Sequence, residues 1–276
     1  MLRWTSFGAV SFPETLQLRL SKQHPERIQA GAPLPTKRMR LVEIDENFQY
    51  FRQTLNTTRT KPCTSLTLTG LQEESAESLL AIEKLIQQYA FSYVTCHIDT
   101  KSQQILHNIS SVDRISVAIQ DPKQLDLYDF PRFDPQKLRF TIVLNRHNLP
   151  VIQRIYQWLQ PYSQGSIYFL YPFPLSKMIM QSAPNPAVLD QMLRDLPEDI
   201  TIAGIPPCLN KRASLKQTSN RWYVDADHQK DKALLFFPDL LRYYKSDSCR
   251  FCRLNTQCDG FFQQYLSEDT QLRPLT

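Results

Sequence analysis

Three of the six cysteines lie close together near the end of the chain, in the segment SCRFCRLNTQCDGFF. Cys249, Cys252 and Cys258 follow the spacing C-x-x-C-x5-C. Two thiols separated by two residues can bind the same metal ion or the same cluster. A soft tetrahedral site takes a fourth sulfur, and Cys208 in GIPPCLN is the best candidate, because two prolines restrict the path of its loop. We therefore predict a four-cysteine site, which fits either a 4Fe–4S cluster or zinc.

A site of this kind implies a compartment in which thiols stay reduced. The segment MLRWTSFGAVSFPETLQ has no apolar core followed by a small-residue cleavage site, and no run of about 18 apolar residues occurs in the chain. We therefore expect a cytoplasmic protein with no membrane partner, where clustered cysteines favour metal or cluster ligation over disulfides. Purely structural cysteines are the alternative, but these are usually dispersed through a core.

The net charge of +5 comes from basic residues spread along the chain. They form two small groups: Lys37, Arg38 and Arg40, and further along Lys211, Arg212, Lys216 and Arg221. Such groups can meet nucleic acid or an acidic peptide, but a solvated basic surface is the commoner arrangement, so a nucleic-acid partner is not expected. The chain has only six glycines and contains no glycine-rich phosphate loop.

Short β-branched runs alternate with longer amphipathic stretches along most of the chain. The short runs predict strands at 16–20, 64–70, 92–98, 114–120, 138–144, 166–172 and 200–205. The amphipathic stretches predict helices at 44–54, 74–89, 149–159, 186–196 and 231–244, the last interrupted by Pro238. This alternation is typical of a parallel sheet with right-handed crossovers.

Six or seven parallel strands can close or half-close a barrel, with working groups in the loops that follow the strands. After residue 205 the pattern breaks, because 206–230 is polar and typical of a loop. We therefore predict an α/β fold with a partial barrel over 1–205 and a small cysteine-rich extension over 206–276. The aromatic tract IYFLYPFP predicts a buried strand, with a binding platform as the alternative. Phe261 and Phe262 are expected to pack the cluster against the barrel and to lower solvent access to it.

The element order and the tail together resemble the radical S-adenosylmethionine superfamily, from about residue 16 to residue 265. VDRISVAIQD is similar to the fourth strand of that family, and FTIVLNRHNLP is similar to its fifth strand and the following helix start. The C-x-x-C-x5-C-x-G tail with the later Tyr265 is similar to tails that hold an auxiliary cluster, which an upstream cysteine can complete. The resemblance implies a partial (β/α)6 barrel and an auxiliary 4Fe–4S cluster held by Cys208, Cys249, Cys252 and Cys258.

The reactive centre of that family is missing from this sequence. In the family a C-x-x-x-C-x-x-C loop after the first strand holds the reactive cluster, but the corresponding positions here are His24, Ile28 and Gly31. A glycine-rich turn after the second strand receives the cofactor in the family, and here only its first glycine, Gly70, is kept. The remaining departures are Leu71, Gln72 and Glu73 after the second strand and Asp99 and Thr100 after the third. S-adenosylmethionine is therefore not expected as a cofactor.

A barrel without its reactive centre but with a complete four-cysteine site implies a catalytically inactive partner subunit. It would bind a peptide or a protein, with an active radical enzyme as one candidate. An active enzyme with non-radical chemistry at the barrel mouth is the alternative hypothesis. Its candidate groups are His24, Glu73, Asp99 and Asp121. A zinc-bound scaffold with affinity for nucleic acid is a third hypothesis.

A second polar cluster occurs in the run DADHQKD. Asp225, Asp227 and His228 have residue types that can bind a metal ion, but the whole run is polar and predicts a solvated turn.

Overall fold

The chain folds into two compact units. The computed structural model describes residues 4–6, 15–21, 35–57, 64–71, 74–99, 102–104, 110–164, 166–174, 177–214, 221–236, 243–258, 260–266 and 272–275. The N-terminal unit comprises residues 3–117 and 219–237, and the C-terminal unit comprises residues 1–2, 118–218 and 238–276.

Twelve strands and five α-helices occur within the described residues. The strands are β1 (Trp4–Ser6), β2 (Thr15–Arg19), β3 (Ser65–Thr69), β4 (Tyr93–Ile98), β5 (Arg114–Ile119), β6 (Leu138–Val143), β7 (Ile167–Leu170), β8 (Ile202–Ala203), β9 (Arg221–Val224), β10 (Leu234–Phe236), β11 (Tyr243–Tyr244) and β12 (Phe261–Phe262). The helices are α1 (Leu41–Thr57), α2 (Ala76–Gln88), α3 (Ile152–Ser163), α4 (Lys177–Ser182) and α5 (Leu189–Met192). No helix among them is long and apolar enough to cross a membrane.

The N-terminal unit is built on strands in the order β1-β10-β9-β2-β3-β4-β5. From β9 to β5 all neighbours are parallel, whereas β10 and β1 are added antiparallel at one edge. Apolar residues of β2, β3 and β9 point to one face, where helix α1 packs: the ring of Phe51 lies 4.7 Å from that of Trp222. Helix α2 begins at Ser75, whose side chain accepts a hydrogen bond from the N–H of Ser78.

The C-terminal unit contains the parallel strands β6, β7 and β8 in that order, together with the separate antiparallel pair β11 and β12. Helix α3 packs on β6 and β7, burying Ile155 and Leu159. The rings of Tyr156 and Phe169 are 6.4 Å apart across this contact.

The α/β class is confirmed, and all seven predicted strands are confirmed to within two residues at each end. Neither set of described strands closes on itself, because the strand order runs from β1 to β5 in the N-terminal unit and from β6 to β8 in the C-terminal unit. The predicted boundary between residues 205 and 206 stays a prediction. The observed units are interleaved in sequence, since β9 and β10 lie in the N-terminal unit.

Two predictions beyond residue 205 are wrong. The stretch 206–230 is not a continuous loop, because it contains β9, whose Trp222, Tyr223 and Val224 are fully buried. The predicted helix at 231–244 is replaced in the described residues by a short 3-10 turn and the strands β10 and β11. These short strands pair with strands that are distant in sequence. That pairing outweighs the helical spacing of apolar residues on which the prediction relied.

Helix α2 is tied to the loop before β5 by one buried carboxylate. Glu83 accepts hydrogen bonds from the backbone N–H groups of Ser110 and Ser111 at 2.7 and 3.1 Å, and from both hydroxyl groups. Burial by itself raises the pKa of Glu83, but these hydrogen bonds outweigh it and the pKa is lowered.

Glu83→Gln should therefore destabilise the protein by about 2 kcal/mol near neutral pH, because hydrogen bonds to a charged acceptor are lost. A carboxyl whose folded pKa is lowered stabilises above its unfolded pKa, and that contribution is lost as pH falls through the folded pKa. The difference in the free energy of unfolding between Glu83→Gln and the wild type should therefore be smaller in acid. Urea unfolding at about pH 7 and about pH 3 measures it. The matched control is Glu77→Gln on the exposed side of the same helix, and an equal loss in both variants would contradict the role of Glu83.

Candidate metal or cluster site

The four predicted cysteines all line one pocket in the C-terminal unit. Cys208 reaches the pocket from the loop after β8, and Cys249, Cys252 and Cys258 reach it from the segment between β11 and β12. The pocket holds about 370 Å³ of empty space, part of it open to solvent. All four thiols are half-buried. Folding thus brings the loop cysteine to the three tail cysteines, as the spacing predicts.

Tight backbone turns position the tail cysteines. Residues Asp247–Phe251 form a 3-10 turn, and the N–H of Cys252 donates to the carbonyl of Cys249 at 3.0 Å. The next turns lead to Cys258, whose N–H donates to the carbonyl of Leu254 at 2.9 Å. Because these turns are short, the C-x-x-C-x5-C spacing delivers three thiols to the same pocket.

Every one of the four sulfurs has a polar group beside it. The N–H of Gly260 donates to Cys258 Sγ at 3.3 Å, and the N–H of Leu275 donates to Cys252 Sγ at 3.4 Å. The hydroxyl of Ser246 lies 3.4 Å from Cys249 Sγ. A backbone hydrogen bond from Arg273 acts to lower the pKa of Cys208. Donors of this kind stabilise a thiolate, the form in which cysteine binds metals and clusters.

The pKa of Cys208 is nevertheless raised overall, first by burial and then by its neighbours Cys258 and Cys249. Thiolates gathered this closely repel one another, and a cationic centre between them would remove that repulsion. As they stand, no three Cys, His, Asp or Glu side chains of the described residues form a group that could hold a metal ion. The residue types nevertheless suit a soft metal ion or an iron–sulfur cluster.

The C-terminal segment 272–275 closes one side of the pocket, which the sequence did not indicate. Leu272, Arg273, Pro274 and Leu275 all line it, and the N–H of Arg253 donates to the carbonyl of Leu275 at 3.0 Å. The donors that this segment offers to Cys252 and Cys208 are backbone N–H groups. Backbone donors carry no signature in residue type, so spacing alone could not have found them.

Aromatic rings attach the cysteine segment to the strand β7. Phe261 and Phe262 are completely buried, and their rings lie 5.4 Å from those of Tyr171 and Phe173 respectively. The hydroxyl of Tyr265 donates to the carbonyl of Pro172 at 2.9 Å. The phenylalanine pair thus packs against the residues that follow β7. That the pair packs a cluster against a barrel stays a prediction. The aromatic tract forms a buried strand that continues into the rings on which the tail rests.

Gly260 is required where β12 starts beside Tyr244. Its φ is +92°, and a Cβ atom at this position would lie 2.3 Å from the carbonyl oxygen of Tyr244. Only glycine allows both this backbone conformation and this approach. The same residue donates its N–H to Cys258, so the strand pair and the thiol depend on one glycine.

No family model and no curated protein matches this chain. The resemblance to the radical S-adenosylmethionine superfamily therefore rests on the residue patterns alone.

The positions proposed for a barrel mouth are only partly described. His24, Ile28, Gly31, Gln72, Glu73 and Thr100 lie outside the described residues. Leu71 is buried, and Gly70 has a φ of +73° beside the backbone of Ser21. Asp99 accepts the N–H of Ser102 at 2.8 Å, and Asp121 accepts the N–H of Lys123 at 2.9 Å. Both carboxylates cap short turns, so their observed role is to stabilise the local backbone.

The prediction of a solvated turn in DADHQKD is wrong at its first residue. Asp225 is completely buried directly after β9, whereas Asp227 is exposed. Asp225 Oδ1 accepts hydrogen bonds from the N–H groups of Asp227 and His228, both at 2.8 Å, and from His228 Nδ1 at 2.9 Å. The error follows from the missed strand β9, which carries Asp225 into the interior.

Gly260→Ala should disrupt the pairing of β11 with β12 and loosen the cysteine segment, at a cost of about 2 kcal/mol or more. A lower melting temperature together with a lower metal content in protein purified without oxygen would show this. Gln264→Ala, at an exposed position of the following turn, is the control and should leave both quantities unchanged. A Gly260→Ala protein with the melting temperature and metal content of the wild type would refute the proposed role.

Proposed function

We propose that this chain is a catalytically inactive protein with a radical-enzyme-type partial (β/α)6 barrel. In this proposal it acts as a peptide- or protein-binding partner subunit, and a structural 4Fe–4S cluster secures its cysteine-rich segment. An active radical enzyme is one candidate for the partner. The observation that carries the proposal is the gathering of Cys208, Cys249, Cys252 and Cys258 around one pocket.

The surroundings of the thiols support a cluster ligand set. Polar groups stand beside all four sulfurs, and hydrogen bonds to sulfur are one of the means by which proteins hold iron–sulfur clusters. The buried rings of Phe261 and Phe262 lie next to Gly260 and restrict solvent access from that side. With four protein thiolates bound, a centre here keeps no open position for substrate, so its task is structural.

Zinc is the alternative occupant of the same four thiols. A zinc ion is bound at about 2.3 Å from each sulfur, so its four ligands must converge on one point. The thiols line the pocket without forming such a group among the described residues. A cluster presents its irons at separate corners and accepts thiolates that stand farther apart, so metal and sulfide analysis distinguishes the two occupants.

The absence of catalysis is inferred from sequence positions rather than from the pocket. The three positions expected to hold the reactive cluster are His24, Ile28 and Gly31, and two of these have no group that binds iron. Leu71 is buried next to Gly70, where the family has a second glycine that allows close approach of the cofactor. A protein that lacks these cluster ligands and this cofactor-binding glycine can still present its surface to a partner, which suits a binding role.

Protein purified without oxygen should contain about four iron and four sulfide ions per chain, and its visible absorption should give it a brown colour. Cys252→Ala should lose iron, sulfide and colour, because one of the four ligands is gone. The matched control is Cys96→Ala, a buried cysteine of β4 in the N-terminal unit, which should keep all three. One zinc per chain without colour would establish the alternative occupant. A metal-free protein under these conditions would rule out the four-cysteine site.

S-adenosylmethionine should not be reductively cleaved by this protein. With dithionite as electron donor, 5′-deoxyadenosine should stay at the level of a variant in which Cys208, Cys249, Cys252 and Cys258 are all replaced by Ala. Product above that level from the wild type would overturn the inactive assignment, whatever metal the tail contains.

A further inference from the structure

The segment 272–275, which we call the strap, contacts thiols from two separate parts of the chain. The N–H of Leu275 donates to Sγ of Cys252, which lies between β11 and β12, at 3.4 Å. A backbone hydrogen bond from Arg273 reaches Cys208, which lies in the loop after β8. Both thiols line the same pocket as the strap. The strap therefore connects the loop cysteine to the tail cysteines.

The residues of the strap favour this path. Pro274 has no N–H group and a φ fixed at about −65°, and a residue before proline, here Arg273, is disfavoured in a helical conformation. The strap accordingly contains neither helix nor strand. The N–H groups on either side of Pro274 are thus not used in secondary structure, and both serve the sulfurs.

Few contacts hold the strap in place. Among the described residues it makes one backbone–backbone hydrogen bond, from the N–H of Arg253 to the carbonyl of Leu275 at 3.0 Å. Its one buried side chain is Leu272, whereas the other three residues are exposed or half-buried. A segment with few buried contacts and no secondary structure opens at a lower free energy than the elements around it.

The other two tail thiols have partners on more firmly held backbone. Gly260, which donates to Cys258, directly precedes the completely buried Phe261. Ser246, whose hydroxyl lies beside Cys249, directly precedes the 3-10 turn. Opening of the strap would therefore remove the donors of Cys208 and Cys252 and leave the groups beside Cys249 and Cys258 in place.

We propose that the strap controls how fast the centre in the four-cysteine pocket is taken up and lost. This inference rests on the function proposed above. When closed, the strap covers one side of the pocket, and its two N–H groups stabilise the thiolates of Cys208 and Cys252. When open, it leaves these two ligands without their donors and accessible to solvent, so that metal can enter or leave.

Release of metal into excess EDTA tests the strap, both on protein purified without oxygen and on protein loaded with Zn²⁺. Leu275→Pro removes the N–H that Cys252 accepts, so it should lose its metal about tenfold faster than the wild type. Leu275→Ala keeps that N–H and is the matched control, which should release metal at the rate of the wild type. Leu272→Ser weakens the buried anchor of the strap and should also release metal faster.

The melting temperature of the metal-free protein separates this role from a purely structural one. It should be the same in Leu275→Pro and Leu275→Ala, because the strap contributes few contacts to the fold. A lower value for Leu275→Pro alone would assign the hydrogen bond to the stability of the fold and overturn the proposal.

The release rates distinguish failure of the strap from failure of the proposed function. Equal rates in the wild type and all three variants would overturn the role of the strap and leave the four-cysteine site intact. If the wild type binds zinc but no iron, the cluster is refuted, and faster loss of zinc from Leu275→Pro would still confirm the strap. A wild type that takes up neither iron nor zinc would overturn both.

Discussion

The structure of the N-terminal unit depends on the parallel register of β9, β2, β3, β4 and β5. Side chains alternate across each strand, so this register collects the leucines of β2 and β3 on one face and the polar side chains on the other. A shift of one residue in any strand would exchange its two faces. It would place Arg19 or Asp225 against the apolar side of α1, where neither charge could be satisfied. The packing of the helices therefore also determines which face of the sheet carries the polar side chains.

The C-terminal unit depends on a close backbone approach in its tail. Gly260 lets β12 lie against Tyr244, and the rings of Phe261 and Phe262 then insert beside Tyr171 and Phe173. These contacts bring the cysteine segment to the loop that carries Cys208. The thiol pocket is thus a consequence of aromatic packing, and a metal centre within it would add stability to an arrangement already specified by the protein.

At the cysteine pocket, polar groups stand beside every sulfur, and the remaining unfavourable feature is the proximity of like charges. A metal ion or cluster between the thiolates would relieve that repulsion. The arrangement therefore suits the permanent structural centre that we propose.

The sequence by itself determined the parallel strands β2 to β8 and the group of three tail cysteines, because period-two alternation and short cysteine spacing are local properties. Only the tertiary structure decided the rest. Strand β9 is four residues long and is held by β2 and β10, so its stability, and with it the burial of Asp225, comes from partners distant in sequence. The donors from Arg273 and Leu275 are backbone groups without a residue signature. The separation of the sheet into an apolar and a polar side likewise forms only once the strands are in register, because each strand alone shows an ordinary alternation.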